Sequence, residues 1–291
     1  MNAGQRLDLN GGPLVTSHVF NASRLAWWRS IPTQTGWPRK NIRELVRRNP
    51  NGNWDAISTA AAGVNVWSAN SHVGGDGSFY AANNGDWQVQ TGGPGILIGP
   101  NAPTTWGLAA WVFIPSGDTS NEPLYYEGGA SDSLAIYASA AGNANKPQIL
   151  MTANGITVCT LNASTTLADG KWHWLLITRG GATLNIYSDC VSIGAASISA
   201  GAFTGSSYAA LLAGTTNFNT VFLQWDSFTI FTGFTGYRAM WFEEMNGCPQ
   251  TLNWADAAPD PRWMLPAPVG GPWPFHFDEL AGGLQTQGMA L

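Results

Sequence analysis

Charge is scarce in this chain. Asp, Glu, Lys and Arg make up 11% of its 291 residues, less than half the roughly 25% of an average soluble domain, and that excludes an architecture of long, solvated helices. Cysteine is scarcer still. Cys159, Cys190 and Cys248 are odd in number and far apart, so there is neither a disulfide framework nor a CxxC metal clamp; a Cys159–Cys190 bridge is the one pairing left to test. No apolar run approaches the roughly 18 to 20 residues that a membrane-spanning helix needs. The opening MNAGQRLDLNGGPL has no apolar segment and no small-residue cleavage site, so the expectation is a protein made without a secretory signal, in a cytoplasm.

Glycine (35), tryptophan (15) and many Ser, Thr, Asn and Ala residues fill the gap, and 44% apolar residues are ample for a packed core. The basic residues that do occur are clustered. Arg6, Arg24, Arg29, Arg39, Lys40, Arg43, Arg47 and Arg48 face only Asp8 and Glu44 within the first 50 residues, although the whole chain carries −5. Such asymmetry fits a basic arm lying on the acidic body of a neighbouring copy. Nucleic acid is not expected as a partner, because no known nucleic-acid motif accompanies the basic residues. Between Gly180 and Trp225 the only charged side chain is Asp189; neutral, hydroxyl-rich surface suits either a packed assembly or a polar neutral ligand such as sugar.

Helix signals are few. Asn41 to Glu44 reads as a capping box opening a short surface helix that stops at Asn49-Pro50, and Thr235 to Met245 reads as a second helix ended by Gly247. Strand signals are stronger. WGLAAWVFIP from Trp106 alternates on two apolar faces and ends at Pro115. DGKWHWLLITRGG from Asp169 gives a turn, a strand with Trp172, Trp174 and Leu176 on one face, and a Gly180-Gly181 reversal into ATLNIYSD. WDSFTIF from Trp225 sets Phe228 and Ile230 against Ser227 and Thr229. Many short strands with frequent turn signals predict an all-β sandwich.

In that order, AWVFIP, DGKWHWLLITRGGATLNIYSD and WDSFTIF resemble the laminin G-like members of the concanavalin A-like lectin and glucanase superfamily. LAWW at residues 25–28 resembles the opening strand, and FYAANNGDWQV at residues 79–89 the strand pair before AWV. The resemblance implies an antiparallel jelly-roll β-sandwich over residues 24–248, with a basic insert at about 29–53, an N-terminal arm at 1–23 and an extended C-terminal arm at 249–291. Cys190 stands where the family has a turn glycine after Asp189. The fold implies no particular ligand.

Glycosidases need two carboxylates at a set separation; Glu122 and Glu127 are the nearest pair, and they read as loop-flanking surface acids on opposite faces of one strand. Glu243 and Glu244 read as a solvated helix face. His18, His72, His173 and His276 have no metal-ligand spacing, and His173 reads as a packing position. No cofactor is expected. Calcium would have Asp76, Asn83, Asn84 and Asp86 as its oxygen donors, although an Asn-Gly turn with polar residues is the preferred reading of them. Trp172 and Trp174 read as core, whereas Trp87, Tyr125, Tyr126, Asn143 and Asn145 read as loop residues and are the ligand-binding candidates.

Seven of the seventeen prolines lie beyond Cys248. That segment cannot form a helix or a central strand, yet it carries Trp254, Trp263, Met264, Leu265, Trp273, Phe275 and Phe277, each worth on the order of 2 kcal/mol when buried. The expected assembly contacts are Arg39, Lys40, Arg43, Arg47 and Arg48 with Trp263, Leu265, Trp273, Phe275 and Phe277. Laminin G-like sandwiches also decorate phage particles. The leading expectation is therefore a non-catalytic structural protein of a virion, assembled in the host cytoplasm, with other copies or capsid proteins as partners and no membrane. A carbohydrate-binding lectin at an extracellular surface is the alternative, and a glycoside hydrolase the third.

Overall fold

The computed structural model describes residues 24–28, 41–42, 54, 56–58, 67–68, 70, 72, 78–80, 87–89, 95–129, 131–205, 209–213 and 222–233. The strands in chain order are β1 (Arg24–Trp28), β2 (Asn41–Ile42), β3 (Ala56–Ser58), β4 (Trp67–Ser68), β5 (Ser78–Tyr80), β6 (Trp87–Val89), β7 (Thr105–Phe113) and β8 (Glu122–Gly128). They continue as β9 (Ser133–Ala140), β10 (Lys146–Ala153), β11 (Ile156–Asn162), β12 (Trp172–Gly180), β13 (Thr183–Ser188), β14 (Val191–Ser197), β15 (Ala209–Leu212) and β16 (Gln224–Thr232). One short 3-10 turn, Ala141–Asn143, lies between β9 and β10.

These strands form two antiparallel sheets. In the first the order is β14-β13-β12-β7-β16-β5-β4, with β1 also on β16; in the second it is β11-β10-β9-β8-β15-β6-β3-β2. The all-β sandwich expected from the sequence is thus the fold. The capping-box start at Asn41 and Ile42 is a strand instead: Asn41 pairs with Ile57 and Ile42 with Ala56 across β2 and β3, while the remainder of the expected helix, 43–48, lies outside the described residues. Pairing with a neighbouring strand satisfies those backbone groups and overrides a local helix signal. The helix expected at 235–245, the two arms, Glu243, Glu244 and the calcium candidates Asp76, Asn83, Asn84 and Asp86 lie outside the described residues, as do Arg39, Lys40, Arg43, Arg47, Arg48, Trp263, Leu265, Trp273, Phe275 and Phe277.

Aromatic rings fill much of the space between the sheets. Phe79 lies 5.2 Å from both Trp87 and Trp225, Trp225 lies 6.1 Å from Phe228, and Phe228 touches Trp28 at 5.8 Å and Tyr125 at 5.7 Å between ring centres. Each such ring contributes on the order of 2 kcal/mol or more through burial. Trp225 and Phe228 both face this core although they are three residues apart. A register shift between Asp226 and Thr229, with Ser227 at φ 48°, inserts the extra residue that makes this possible.

The central strands β7 and β16 are buried on both faces. Leu108, Ala110 and Val112 join the core, while Ala109 and Trp111 pack with Trp174, Leu176 and Phe231 on the outer face of the first sheet. Trp174 is therefore buried, as read, but on the outer side of its sheet, not between the two.

At one side the edge strands of the two sheets are laced together. Ser164 donates its N–H and hydroxyl to the Ile193 carbonyl at 2.8 and 3.0 Å, and Ser199 does the same to the Val158 carbonyl at 2.8 and 2.9 Å. The carbonyls Ile193 on β14 and Val158 on β11 are thereby occupied at edges that would otherwise template another strand. No disulfide joins Cys159 to Cys190, so the bridge left to test does not form. Cys190 keeps the turn geometry that glycine would give: Asp189 at φ 49° and Cys190 at φ 65° close the β13–β14 hairpin.

Candidate functional site

The outer face of the second sheet is built from alternate residues of six strands. Cross-strand pairing places Gln88, Leu211, Tyr126, Ala135, Leu150 and Thr160 side by side in one row. An adjacent row runs Tyr137, Gln148, Asn162, in which the Gln148 amide donates to Asn162 Oδ1 at 2.7 Å. The opposite residues of the same strands, among them Leu134, Ile136, Ile149 and Met151, belong to the core. Tyr126, Tyr137, Ala135, Ala140 and Leu150 form their own small apolar cluster on the outside.

This face is almost free of charge. Its strands β6, β15, β8, β9, β10 and β11 contain three ionisable acids and bases of the Asp, Glu, Lys and Arg classes, of which Glu122 and Glu127 are fully buried and Lys146 stands at the first position of β10. What it offers a ligand is phenol rings, carboxamides and hydroxyls. Tyr126 is partly exposed, Tyr137 is 7% exposed, and Gln88, Thr160 and Asn162 are exposed. Burial, with the Tyr126 hydroxyl nearby, raises the Tyr137 pKa above its ordinary value, so the Tyr137 phenol stays a neutral donor at physiological pH.

Glycine shapes the site at one point. A Cβ at Gly128 would collide with the Tyr126 hydroxyl and ring. Equivalent positions recur every second residue along a strand, so the bare backbone at Gly128 is the groove in which the Tyr126 ring lies down along the sheet.

The two acids weighed for catalysis are neither exposed nor available. Glu122 accepts N–H bonds from Phe222 and Leu223, the latter at 2.9 Å. Glu127 accepts from the Ile96 N–H, from the Leu97 N–H at 2.8 Å and from the Tyr125 hydroxyl at 3.0 Å. Burial pushes the Glu127 carboxyl up to about 7, against the pull of those hydrogen bonds. The reading of Glu122 and Glu127 as surface acids is thus corrected: backbone amides of neighbouring loops must be satisfied when buried, and these carboxylates do it. Asp132 has the same role, taking the N–H groups of Asn154, Thr204 and Gly205 at 2.8 to 2.9 Å.

The five ligand-binding candidates divide accordingly. Trp87 and Tyr125, expected in loops, instead stand on β6 and β8 and are fully buried in the core, because pairing with strands distant in sequence decides where a strand forms and which of its faces turns inward. Asn143 spends its amide nitrogen on the carbonyls of Pro147 and Ala163 at 2.8 and 3.3 Å. Asn145 sits at φ 60° in the β9–β10 turn, its carbonyl taken by Thr166. Tyr126 alone of the five lies on the open face. Tyr137, Gln148 and Asn162 were missed in the sequence; the alternation of SLAIYASA and KPQILMTA carries the signal, but only pairing puts them in one row. His173 is no passive packing position either, since it bridges Asp169 and Asp189. Among the described residues no group of three His, Cys, Asp or Glu side chains is placed to hold a metal ion.

Comparison with known proteins agrees with this architecture. Residues 83–229 match Laminin_G_3, described as the concanavalin A-like lectin/glucanases superfamily. Among solved structures, the receptor binding domain of botulinum neurotoxin D is similar at TM-score 0.53 and 10% identity, covering 77% of this chain and 53% of that one. The binding domain of Paraclostridial Mosquitocidal Protein 1 is similar at TM-score 0.50 and 13% identity, covering 78% and 52%. Likeness at such identities is one of fold, and the chain spans about half the length of these structures. No curated protein sequence matches it.

Proposed function

Because the chain belongs to the concanavalin A-like lectin/glucanases superfamily through residues 83–229, we propose that it is a non-catalytic binding module whose outer β8–β11 face holds a neutral glycan. The observation that carries this reading is the uncharged face on which the row through Tyr126 and the adjacent row of Tyr137, Gln148 and Asn162 lie side by side. A sugar chain presents apolar C–H faces and hydroxyls in alternation. Phenol rings meet the first and carboxamides the second, with no ion to desolvate. The binding domains that share the fold support a recognition role. The engagement of Glu122 and Glu127 with backbone amides supports the absence of catalysis, since a general acid must reach its substrate.

The test is a pull-down on insoluble neutral polysaccharides together with a glycan array. Tyr126→Ala should weaken binding at least tenfold with an unchanged far-ultraviolet spectrum. Retention of full binding by that variant, or a requirement for charged glycans, would overturn the proposal. Reducing ends released from a bound polysaccharide would make the protein an enzyme.

A virion protein that assembles with its own copies or with capsid proteins is a second reading, favoured by the basic cluster and by the seven prolines among aromatic residues at 249–291. Deleting 249–291 should abolish self-association and co-purification with virus particles while leaving glycan binding intact. Unchanged association would remove this reading.

A further inference from the structure

The outer face of the first sheet ends in a row that the buried interior does not require. Trp172 on β12, Phe113 on β7 and Gln224 on β16 stand opposite one another in register. One row further in, Trp174, Trp111 and Asp226 are buried at 0%, 4% and 0% exposure. Trp172, Phe113 and Gln224 are partly exposed, so this is where the aromatic face reaches solvent.

The Trp172 ring is held in one orientation by a relay of polar groups. Its indole N–H donates to Asn70 Oδ1 at 3.2 Å, the Asn70 amide donates to Gln224 Oε1 at 2.9 Å, and Ser78 Oγ donates to the same oxygen at 3.2 Å. The Asn70 N–H is itself anchored on Ser68 Oγ at 3.1 Å. Phe113 supports the ring at 5.7 Å, and His72, stacked on Trp111 at 4.5 Å, meets its edge at 5.8 Å. A surface tryptophan gains less from burial than a core one, and fixing it costs rotamer freedom. Groups from β4, β5, β12 and β16 nevertheless combine to fix it, which is the preorganisation a ligand platform needs. Both bonds to Gln224 fall on its oxygen, leaving the NH2 as donor.

We propose that Trp172 is the stacking platform of a second site, which takes the terminal pyranose ring of a neutral glycan. The apolar C–H face of the sugar lies on the indole, and a ring hydroxyl accepts from the Gln224 amide. The site stands on the opposite sheet from the Tyr126 face and does not depend on it. A protein with both would bridge two glycan chains.

The probes are the methyl pyranosides of glucose, galactose, mannose and N-acetylglucosamine, added to the full chain carrying fluorine-labelled tryptophan and observed by fluorine and saturation-transfer NMR. At least one sugar should receive saturation at its ring C–H protons and shift a single tryptophan resonance, the one missing in Trp172→Phe. Trp172→Ala should lose that binding at least tenfold and Asn70→Ala several-fold, while Tyr126→Ala leaves it unchanged. If Trp172→Ala does not fold, the identity of the shifted resonance decides the matter. The proposal is overturned if no methyl pyranoside binds, if the shifted resonance is another tryptophan, or if Tyr126→Ala abolishes the effect. Polysaccharide binding that survives Trp172→Phe but not Tyr126→Ala would leave the first site standing without this one.

Discussion

His173 Nδ1 lies 2.7 Å from Asp189 Oδ2, and its other ring nitrogen lies 3.0 Å from Asp169 Oδ1. One imidazole thereby ties the turn before β12 to the turn after β13, and Asp189 Oδ1 also takes the Trp174 N–H at 2.9 Å. The hydrogen bond to Asp189 raises the His173 pKa; burial opposes the rise and Asp169 reinforces it. A base whose folded pKa is raised contributes stability that is fully present below about pH 6.5, its unfolded value, and is lost as pH rises through the higher folded value. For Asp169, burial acts upward but is outweighed by His173 and Lys171, and the net shift is downward. Its contribution is present above about pH 3.9 and lost as pH falls through the lower folded value. Urea midpoints measured from pH 3 to 9 should fall at both ends, and His173→Gln should remove the alkaline part of that loss.

Glu127 predicts a separate slope. An acid whose folded pKa rises from 4.5 to about 7 holds its proton longer folded than unfolded, so its contribution falls as pH rises across that interval. Glu127→Gln should flatten this slope while leaving that of His173. Glu127→Ala strands the Ile96 and Leu97 amides and should cost about 3 kcal/mol by chemical denaturation.

Gly128→Ala places a methyl group where the Tyr126 hydroxyl now lies. The ring must leave the sheet surface. Polysaccharide binding should drop about as far as in Tyr126→Ala, and calorimetry on both variants compares them. Equal binding by wild type and Gly128→Ala would show that the flat ring is not the contact.

Cys190 adopts φ 65° without being glycine, a conformation that costs a residue with a side chain on the order of 1 kcal/mol. Cys190→Gly should therefore raise stability by about that amount, less whatever its contact with the Trp174 cluster contributes. Thermal unfolding reads the difference.

Local patterns in the chain were enough to establish the sandwich. Two-residue alternation in WGLAAWVFIP and WHWLLITRG, with Asp169-Gly170 and Gly180-Gly181 as turns, requires paired strands, because alternation is the geometry of the pleat. The same patterns misplaced Asn41, where a local helix signal lost to strand pairing with Ile57. They also misjudged Glu122 and Glu127, whose loop partners lie about 100 and 30 residues away.

Which face of a strand is the outside, and which side chains become neighbours, was decided only by the packing of the two sheets. Alternation is symmetric: exchanging the faces leaves the pattern intact, so nothing local separates Trp87 in the core from Tyr126 on the surface. Trp172 and Asn70 are 102 residues apart, and their meeting depends on where every intervening strand joins its sheet. Composition and period determined that this chain makes strands and what stops them. Long-range pairing gathered onto one face residues that are unremarkable one at a time.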